Sequence, residues 1–320
     1  MSGSSRWLSY LITASIFLFV LLMPQRQPRD AGAQPGKSKA VTLVMGGGPE
    51  VFEVEIPRDG IDAKGSASPG KTWAWEARSS KDIPKQYHGG FMMISECKPV
   101  NYGRRLIITA KEGGVALVNR ESRKTEFVTI IGTGTPYSGD LLPENRLVFA
   151  IGGESGRLEC YDLDGTGKPL FNVELKSAHG VHWDAKRETL WAVGWDEIRA
   201  YQLKDWKTTK PSLTLLANIS LPKNDGHDLA PIPDTNELAI STGAGVYMFD
   251  MEKKRFKGHP LLGTYEHVKS LSIHPETGKW VYIMPVGENW WTNRVKFVGD
   301  RTDLLFSNAK LYKARWIVKQ

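Results

Sequence analysis

The amino-acid sequence predicts an all-β protein, a six-bladed β-propeller. A pattern of four short strands recurs along the chain. The C-terminal end contains a first strand without its three partners, and the N-terminal part contains three strands without a first strand. In addition, no helical period of about 3.6 residues persists for more than a turn or two after residue 40. These observations favour a single ring of small sheets over a helix-rich enzyme.

The clearest copy of the repeat lies at Ala178–Leu203. It contains three short strands rich in β-branched and aromatic residues, which are joined by tight turns at Asp184–Glu188 and Gly194–Asp196. A fourth strand follows at Leu213–Ser220. One such sheet cannot bury both of its faces, so stacked copies must share a core.

An aliphatic residue and an aromatic residue mark each copy. Leu190 and Tyr201 have counterparts in other units, about 40–50 residues apart, which is the spacing that a four-stranded blade requires. The counterparts are Leu147 with Tyr161, Leu238 with Phe249, and Val281 with Phe297. These four units, with one more that opens at Glu96-Cys97-Lys98, give five complete units between about residue 91 and about residue 308.

The two ends of the chain are predicted to form the sixth blade. Tyr312–Trp316 has the pattern of a lone first strand. Three N-terminal strands lack a first strand: Val41–Val44, Val51–Ile56 and Thr72–Ala77. Pairing the C-terminal strand with these three closes the ring and removes its open edges. Seven blades are the alternative, if Gly60–Gly70 or Gln86–Met93 contains further strand.

Residues 1–33 are predicted to be a targeting segment. Arg6 supplies a positive start, residues 7–23 are almost wholly apolar, and Ala31–Ala33 offers small residues for cleavage. The cleavage site is distant from the apolar run, so a membrane anchor at residues 7–23 is the alternative. Residues 34–40 are expected to be a tether and residues 41–320 a propeller domain. We expect a monomer exported to the periplasm or the extracellular space, touching a membrane only through this segment.

The charge and the cysteines restrict the function further. The net charge is +7, but no run of Lys and Arg and no basic helix is present, which argues against nucleic acid as a partner. The charge favours small acidic ligands instead. Cys97 and Cys160 fall at different strand positions of neighbouring units, so we expect no disulfide between them.

The candidate functional site lies at the starts of the first strands. In a propeller these strands line the central channel, so their leading ends meet at one mouth although they are distant in sequence. The six openings contain Glu96 and Lys98; Tyr137 and Asp140; His179; His227 and Asp228; His267 and Lys269; and Lys313 and Arg315. One half of the ring is thus rich in proton-transfer groups, and the other half is largely cationic.

The cationic half suits an anionic group on a ligand. Lys269 and Arg315, with Lys98, are predicted to neutralise a carboxylate, sulfate or phosphate, and Arg offers bidentate geometry. Glu96, Asp140, Asp228 and His267 are predicted to contact the ligand as well.

The opposite half suits proton transfer. His179 or His227 is the candidate base, and Tyr137 or the other histidine is the candidate acid. On a uronic-acid sugar, these groups have the chemistry of a β-eliminating polysaccharide lyase. The adjacent Trp290 and Trp291 lie in a polar loop and are predicted to stack on a sugar ring.

Two other functions remain open. Histidine and aspartate at strand starts also hydrogen-bond neighbouring blades, so a non-catalytic propeller that binds a glycan or a protein is one alternative. A lactonase-like hydrolase with a divalent metal on His179, His227 and His267 is the other, although no fourth ligand is evident. No Cys/His spacing of a metal site occurs, so no metal or other cofactor is predicted in the leading hypothesis.

Taken together, the openings resemble a known family. The motifs are Glu96-Cys97-Lys98, Ala178-His179-Gly180-Val181, Gly226-His227-Asp228-Leu229, Val268-Lys269-Ser270, Trp290-Trp291 and Tyr312–Trp316. Over about residues 72–318 the chain is similar to exported bacterial propeller domains of unknown function, with WD-like or six-bladed architecture, many of them from carbohydrate-degrading bacteria. The resemblance implies the fold and export but no established activity.

The chain departs from the family pattern in its second blade. Where the resemblance implies Ala-His-Ser followed by Glu, this chain has Pro136-Tyr137-Ser138 and then Asp140. If that histidine is an essential base in the family, the activity of this protein is altered or lost.

Overall fold

Six antiparallel sheets of four strands each make up the fold. The computed structural model describes residues 40–58 and 69–318. The predicted targeting segment at 1–33 lies outside the described residues, as does the tether up to residue 39. Within the described ranges, no helix is long and apolar enough to cross a membrane.

The closing blade joins the two ends of the described chain. Its strands are β1 (Ala40–Gly47), β2 (Glu50–Pro57), β3 (Lys71–Glu76) and, from the C-terminal end, β24 (Lys313–Ile317). Two 3-10 helices follow β3, at Ala77–Ser79 and Lys85–Phe91.

The other five blades follow in chain order, each built from consecutive strands. Blade 1 contains β4 (Ile94–Val100), β5 (Arg105–Ala110), β6 (Gly114–Asn119) and β7 (Thr125–Ile130). Blade 2 contains β8 (Thr135–Leu142), β9 (Arg146–Gly152), β10 (Arg157–Asp162) and β11 (Phe171–Glu174). Blade 3 contains β12 (Gly180–Asp184), β13 (Thr189–Val193), β14 (Glu197–Lys204) and β15 (Ser212–Ser220). Blade 4 contains β16 (Asp228–Pro231), β17 (Glu237–Thr242), β18 (Gly245–Asp250) and β19 (Arg255–Gly258), and blade 5 contains β20 (Ser270–Ile273), β21 (Trp280–Ile283), β22 (Arg294–Phe297) and β23 (Leu304–Leu305).

The predicted six-bladed propeller and its closure are confirmed. Strand β24 pairs antiparallel with β1, with Ala314 opposite Met45 and Trp316 opposite Leu43. The seven-bladed alternative is wrong, because the described residues form six sheets. Of the two candidates for an extra strand, Gln86–Met93 is largely the 3-10 helix Lys85–Phe91, and Gly60–Gly70 lies mostly outside the described residues.

The residues that revealed the repeat are cross-strand neighbours in the second and third strands of their blades. Leu190 lies directly opposite Tyr201 in blade 3. The same register holds for Leu147 with Tyr161, Leu238 with Phe249, and Val281 with Phe297. All of these side chains are buried, each stabilising the fold by about 1.5–3 kcal/mol through burial.

The hydrophobic cores lie between neighbouring blades. One cluster combines Trp191 and Val193 of blade 3 with Leu238 and Phe249 of blade 4, so each sheet covers the face of the next. The two cysteines belong to such cores and are free thiols, as the sequence predicts.

The first strands of the blades form the inner ring, and this ring positions the candidate site. Strands β4, β8, β12, β16, β20 and β24 contact one another in that order around the channel. Their leading ends therefore share one mouth of the channel, and their trailing ends share the other.

Candidate functional site

A cavity of about 300 Å³ opens where the inner strands begin, and we call it the mouth pocket. All six blades contribute to it, each through the start of its inner strand or a nearby loop. Its lining residues are Ser95, Lys111, Tyr137, His179, Asp225, His227, Lys269, Trp290 and Tyr312. The structure thus brings together five residues singled out from the sequence: Tyr137, His179, His227, Lys269 and Trp290.

Tyr137 and His179 form one wall of the mouth pocket. Their rings stack with centroids 3.9 Å apart and an interplanar angle of 12°. The His179 Nδ1 lies 2.8 Å from the carbonyl oxygen of Ser177, so this nitrogen carries the proton and donates it. Burial lowers the pKa of His179 to about 3, which keeps the ring neutral. His179 therefore offers Nε2 as a hydrogen-bond acceptor.

Asp225, His227 and Lys269 form a polar cluster on another wall. The His227 Nε2 lies 3.0 Å from the Asp225 Oδ2 and 2.6 Å from the Lys269 Nζ. Burial lowers the pKa of Lys269 to about 8, although the charge of Asp225 opposes the shift. A lysine with this pKa is mostly ammonium at pH 7, but roughly a tenth of it is free amine, far more than for an ordinary lysine.

The pKa values of His227 and Asp225 in this cluster are also shifted. Burial lowers the pKa of His227, and the bond to Asp225 acts in the opposite direction. For Asp225, burial acts to raise the pKa, but the bond from His227 and the charge of Lys269 hold it below its usual value. Asp225 is therefore a carboxylate at neutral pH.

Aromatic side chains complete the mouth pocket. Trp290 packs its ring at 5.7 Å against Tyr312, which lies 6.3 Å from the ring of Tyr137. The Lys111 Nζ lies 4.7 Å from the centre of the Trp290 ring. Trp291 is not among the lining residues, and the Lys310 Nζ lies 5.2 Å from the centre of its ring.

Several predicted ligand-binding residues lie deeper, in a buried charge network inside the ring. This network consists of Glu96, Asp228, Lys313 and Arg315, each of which is at most 5% exposed. The five N–H groups of Arg315 are matched by five contacts, to Glu96, Asp228 and the Leu271 carbonyl. The predicted role of Arg315 in holding a ligand anion is thus not supported, because its donors are already occupied.

Lys98 and Asp140 lie near the opposite mouth. The Lys98 Nζ binds the Asp140 Oδ2 at 3.0 Å, and both residues line a cavity of about 620 Å³ at the trailing ends of the inner strands. Each lies three positions beyond a lining residue of the mouth pocket, which is about 10 Å along a strand. Lys98 and Asp140, which were predicted to contact the ligand, therefore lie too deep in the channel to line the mouth pocket.

The sequence interpretation missed Asp225, the carboxylate that pairs with His227. Asp225 precedes the inner strand and has a left-handed φ of +64°. An aspartate two residues before a histidine, next to Gly226, was the available signal. Ser95, Lys111 and Tyr312 also line the mouth pocket without having been predicted to do so.

One group of side chains has the composition of a metal site. The ligand atoms of Asp225, His227 and His267 all lie within 4.8 Å of one another. His267 is exposed at the rim, with its ring 6.1 Å from that of His227. His179 belongs to the predicted metal set of three histidines but not to this group.

Comparisons with known proteins bear on the fold. A model of a family of unknown function, DUF6528, matches residues 50–320. A crystal structure of a protein of unknown function from Bacteroides caccae matches with a TM-score of 0.57 and 10% identity, covering 88% of this chain and 99% of that chain. A chain in a crystal structure of a nidogen/laminin complex matches with a TM-score of 0.56 and 13% identity, at the same coverages of 88% and 99%. No curated protein matches. At these identities the solved structures show the fold alone.

Proposed function

The chain belongs to the DUF6528 family of unknown function, and from this premise we propose that its mouth pocket binds an anionic saccharide and cleaves it by β-elimination at a uronic-acid unit. The observation that carries the proposal is the Lys269 amine, which lies in the pocket beside His227 and whose pKa burial lowers to about 8. A general base works best when its pKa is close to the operating pH.

Lys269 is the base in this proposal. Its free amine takes the C5 proton of the uronate, and the C4–O bond breaks as the C4=C5 double bond forms. His227 holds the amine in place, and the charge of Asp225 stabilises the ammonium that results. His179 is less suited to accept the proton, because the pKa of its ring is lowered to about 3. His179 instead accepts a hydrogen bond from a sugar hydroxyl through Nε2.

Tyr137 is the acid. Burial raises the pKa of its phenol, so the hydroxyl keeps its proton at neutral pH and can give it to the leaving oxygen. The stack on His179 fixes the plane of the ring. The departure from the family pattern at this position is then a substitution of one proton-transfer group by another.

Lys111 and Trp290 hold the sugar. A uronate carboxylate must be neutralised before its C5 proton can leave, and the Lys111 ammonium is the exposed cation of the pocket wall that suits this role. The Trp290 ring offers a face for the C–H groups of the sugar. In this assignment Lys111 replaces Arg315, whose donors are used inside the ring.

The expected export of the protein is consistent with a polysaccharide as its ligand. Residues 1–33 have the pattern of a targeting segment, and the resemblance is to exported propellers, so polysaccharides outside the cytoplasm are the ligands that the chain is expected to meet.

The test is an elimination assay on a panel of uronate polymers, which includes polygalacturonate, alginate, glucuronan and glycosaminoglycans. The readout is the ultraviolet absorbance of the unsaturated uronate product. We expect product with at least one polymer, and about 100-fold or greater loss of turnover in Lys269→Met and in Tyr137→Phe. Lys253→Met and Tyr102→Phe are the matched controls, because both side chains are exposed and lie outside the mouth pocket.

The outcomes separate the candidate functions. Polymer binding without product, unchanged in His179→Ala with His227→Ala, would indicate a non-catalytic binding propeller. Turnover that survives Lys269→Met would remove the assigned base. Neither binding nor product with any polymer would overturn the saccharide proposal as a whole.

A further inference from the structure

Asp225, His227 and His267 meet at the rim of the mouth pocket, on the loops that lead into β16 and β20. We propose that these three side chains bind a divalent transition-metal ion, with Zn²⁺ as the representative of the class. This inference goes beyond the proposed elimination, which assigns no step to a metal.

The donor set selects the class of metal. Two imidazoles and one carboxylate are the ligands that Zn²⁺ and neighbouring first-row ions accept, whereas Ca²⁺ and Mg²⁺ prefer oxygen ligands in larger numbers. Three protein ligands leave a fourth position for water or for an oxygen of a bound ligand. The set therefore has the composition of an open site rather than a closed structural one.

The geometry needs only small side-chain movements. Zn–N distances of about 2.0–2.1 Å place neighbouring tetrahedral ligand atoms about 3.3 Å apart. The Asp225 Oδ2 and the His227 Nε2 are already 3.0 Å apart, and all ligand atoms of the group lie within 4.8 Å. His267 is exposed, so its ring can turn toward the other two without disturbing a core.

A second observation shows that this position attracts positive charge. The Lys269 Nζ lies 2.6 Å from the His227 Nε2, and this Nε2 lies 3.0 Å from the Asp225 Oδ2. A side chain that can carry positive charge thus lies against the imidazole nitrogen that would bind the ion. Lys269 competes with the ion for His227 and must move away when the ion binds, so an ion in this site displaces the base of the proposed elimination.

The backbone holds two of the ligands in an uncommon conformation. Asp225 has a φ of +64° and His267 a φ of +54°, both in the left-handed region. Both turns precede inner strands of neighbouring blades, so they aim the two side chains at the same rim.

The experiment is a Zn²⁺ titration of the tag-free full chain after treatment with a chelator, followed by calorimetry or equilibrium dialysis. We expect one Zn²⁺ per chain, bound in the presence of excess Ca²⁺ and Mg²⁺. His267→Ala and Asp225→Asn should each weaken binding by about 10–100-fold or more. Lys269→Met should strengthen it by about tenfold, because it removes a repelling charge.

Controls exclude loss of fold and stray histidine sites. His88→Ala changes a histidine of the 3-10 helix Lys85–Phe91, away from the mouth pocket, and should leave Zn²⁺ affinity unchanged. Thermal unfolding of each variant without metal shows that it is folded. Co²⁺ in place of Zn²⁺ should give the visible absorption of a tetrahedral site in the wild type and not in His267→Ala.

Three results would overturn the inference. These are the absence of stoichiometric Zn²⁺ binding, binding that is unchanged in both His267→Ala and Asp225→Asn, and weaker binding in Lys269→Met. None of these readouts depends on lyase activity, so failure of the proposed elimination leaves this test intact.

Discussion

Arg315 and Asp228 form a two-point ion pair inside the ring. The Arg315 Nη1 lies 2.7 Å from the Asp228 Oδ2, and the Nη2 lies 2.8 Å from the Oδ1. Glu96 takes further bonds from Arg315, at 3.0 and 2.6 Å, and Lys313 donates to Asp228 at 2.8 Å. Two carboxylates and two cations from blade 1, blade 4 and the closing blade thus neutralise one another beneath the mouth pocket.

Replacing the central guanidinium should destabilise the protein strongly. Arg315→Met leaves Glu96 and Asp228 buried with only Lys313 to compensate them, and removing one partner of a buried pair costs about 3–5 kcal/mol. Urea unfolding of the variant should show this loss in the free energy of unfolding. Arg294→Met is the control, since its side chain is 50% exposed and should change stability by less than about 0.5 kcal/mol.

A triple variant tests the electrostatic cause. Adding Glu96→Gln and Asp228→Asn to Arg315→Met removes the uncompensated charges and should recover part of the lost stability. If Arg315→Met alone costs no more than the Arg294 control, the network does not hold the blades together.

Closure of the ring should be sensitive to one glycine. A Cβ at Gly47, the last residue of β1, would lie 1.8 Å from the Lys310 carbonyl oxygen and 2.6 Å from the Leu311 Cα. Both are backbone atoms next to the closing strand, so they cannot move without disturbing the β1–β24 pairing. Gly47→Ala should therefore lower the urea midpoint by the equivalent of about 1–3 kcal/mol or more.

Gly89→Ala is the matched control for this substitution, because a Cβ at Gly89 meets nothing within 4 Å. An equal effect of the two substitutions would contradict the steric argument.

The fold was predictable because the residues that repeat along the sequence are cross-strand neighbours in the blades. Leu190 and Tyr201 recur in other blades, and they recur because each pair must fill the same space between two sheets. The closing blade was predictable by elimination, since Tyr312–Trp316 lacked partners and the N-terminal strands lacked a first strand.

The site was predictable only in part. The repeat shows which residues begin inner strands, and this places His179, His227 and Lys269 at one mouth. The repeat does not show which charged side chains form ion pairs with one another. Arg315 was expected to face a ligand, but Asp228 and Glu96 reach it from other blades, and such pairing depends on depth along the channel. Asp225 lies in a turn before its strand, where the repeat gives no register.

Stability should fall with acid in a way that depends on His179. Burial lowers the pKa of this ring to about 3 in the folded protein, whereas an unfolded chain binds the proton near pH 6.5. The stabilising contribution is thus complete above about pH 6.5 and is lost as the pH falls toward 3. His182, whose pKa burial lowers to about 4, adds a second loss of the same sign.

The measurement is the free energy of unfolding between pH 7 and pH 4. Each histidine contributes a slope of up to about 1.4 kcal/mol per pH unit. His179→Gln should reduce the slope by the share of one histidine, and Tyr102→Phe should leave it unchanged, because no imidazole is removed. A slope that is identical in His179→Gln and the wild type would contradict the neutral state of His179.

Lys269 should be chemically more reactive than exposed lysines near neutral pH. An unperturbed lysine titrates near 10.4, so only a small fraction carries a free amine at pH 7, whereas burial lowers the pKa of Lys269 to about 8. Brief treatment with an amine-acylating reagent, followed by peptide mass spectrometry, gives the labelling rate of Lys269 relative to Lys253, whose side chain is 74% exposed. This ratio should be high at pH 7 and fall as the pH rises to 10.

The neighbouring carboxylate supplies a test of the cause of this reactivity. Asp225 acts to raise the pKa of Lys269, so Asp225→Asn should lower that pKa further and increase labelling of Lys269 at pH 7. The same comparison bears on elimination, because an amine that is not free near neutral pH cannot take the C5 proton. A labelling ratio that does not change between pH 7 and pH 10 would show that Lys269 titrates like an ordinary surface lysine, and it would remove the base from the proposed reaction.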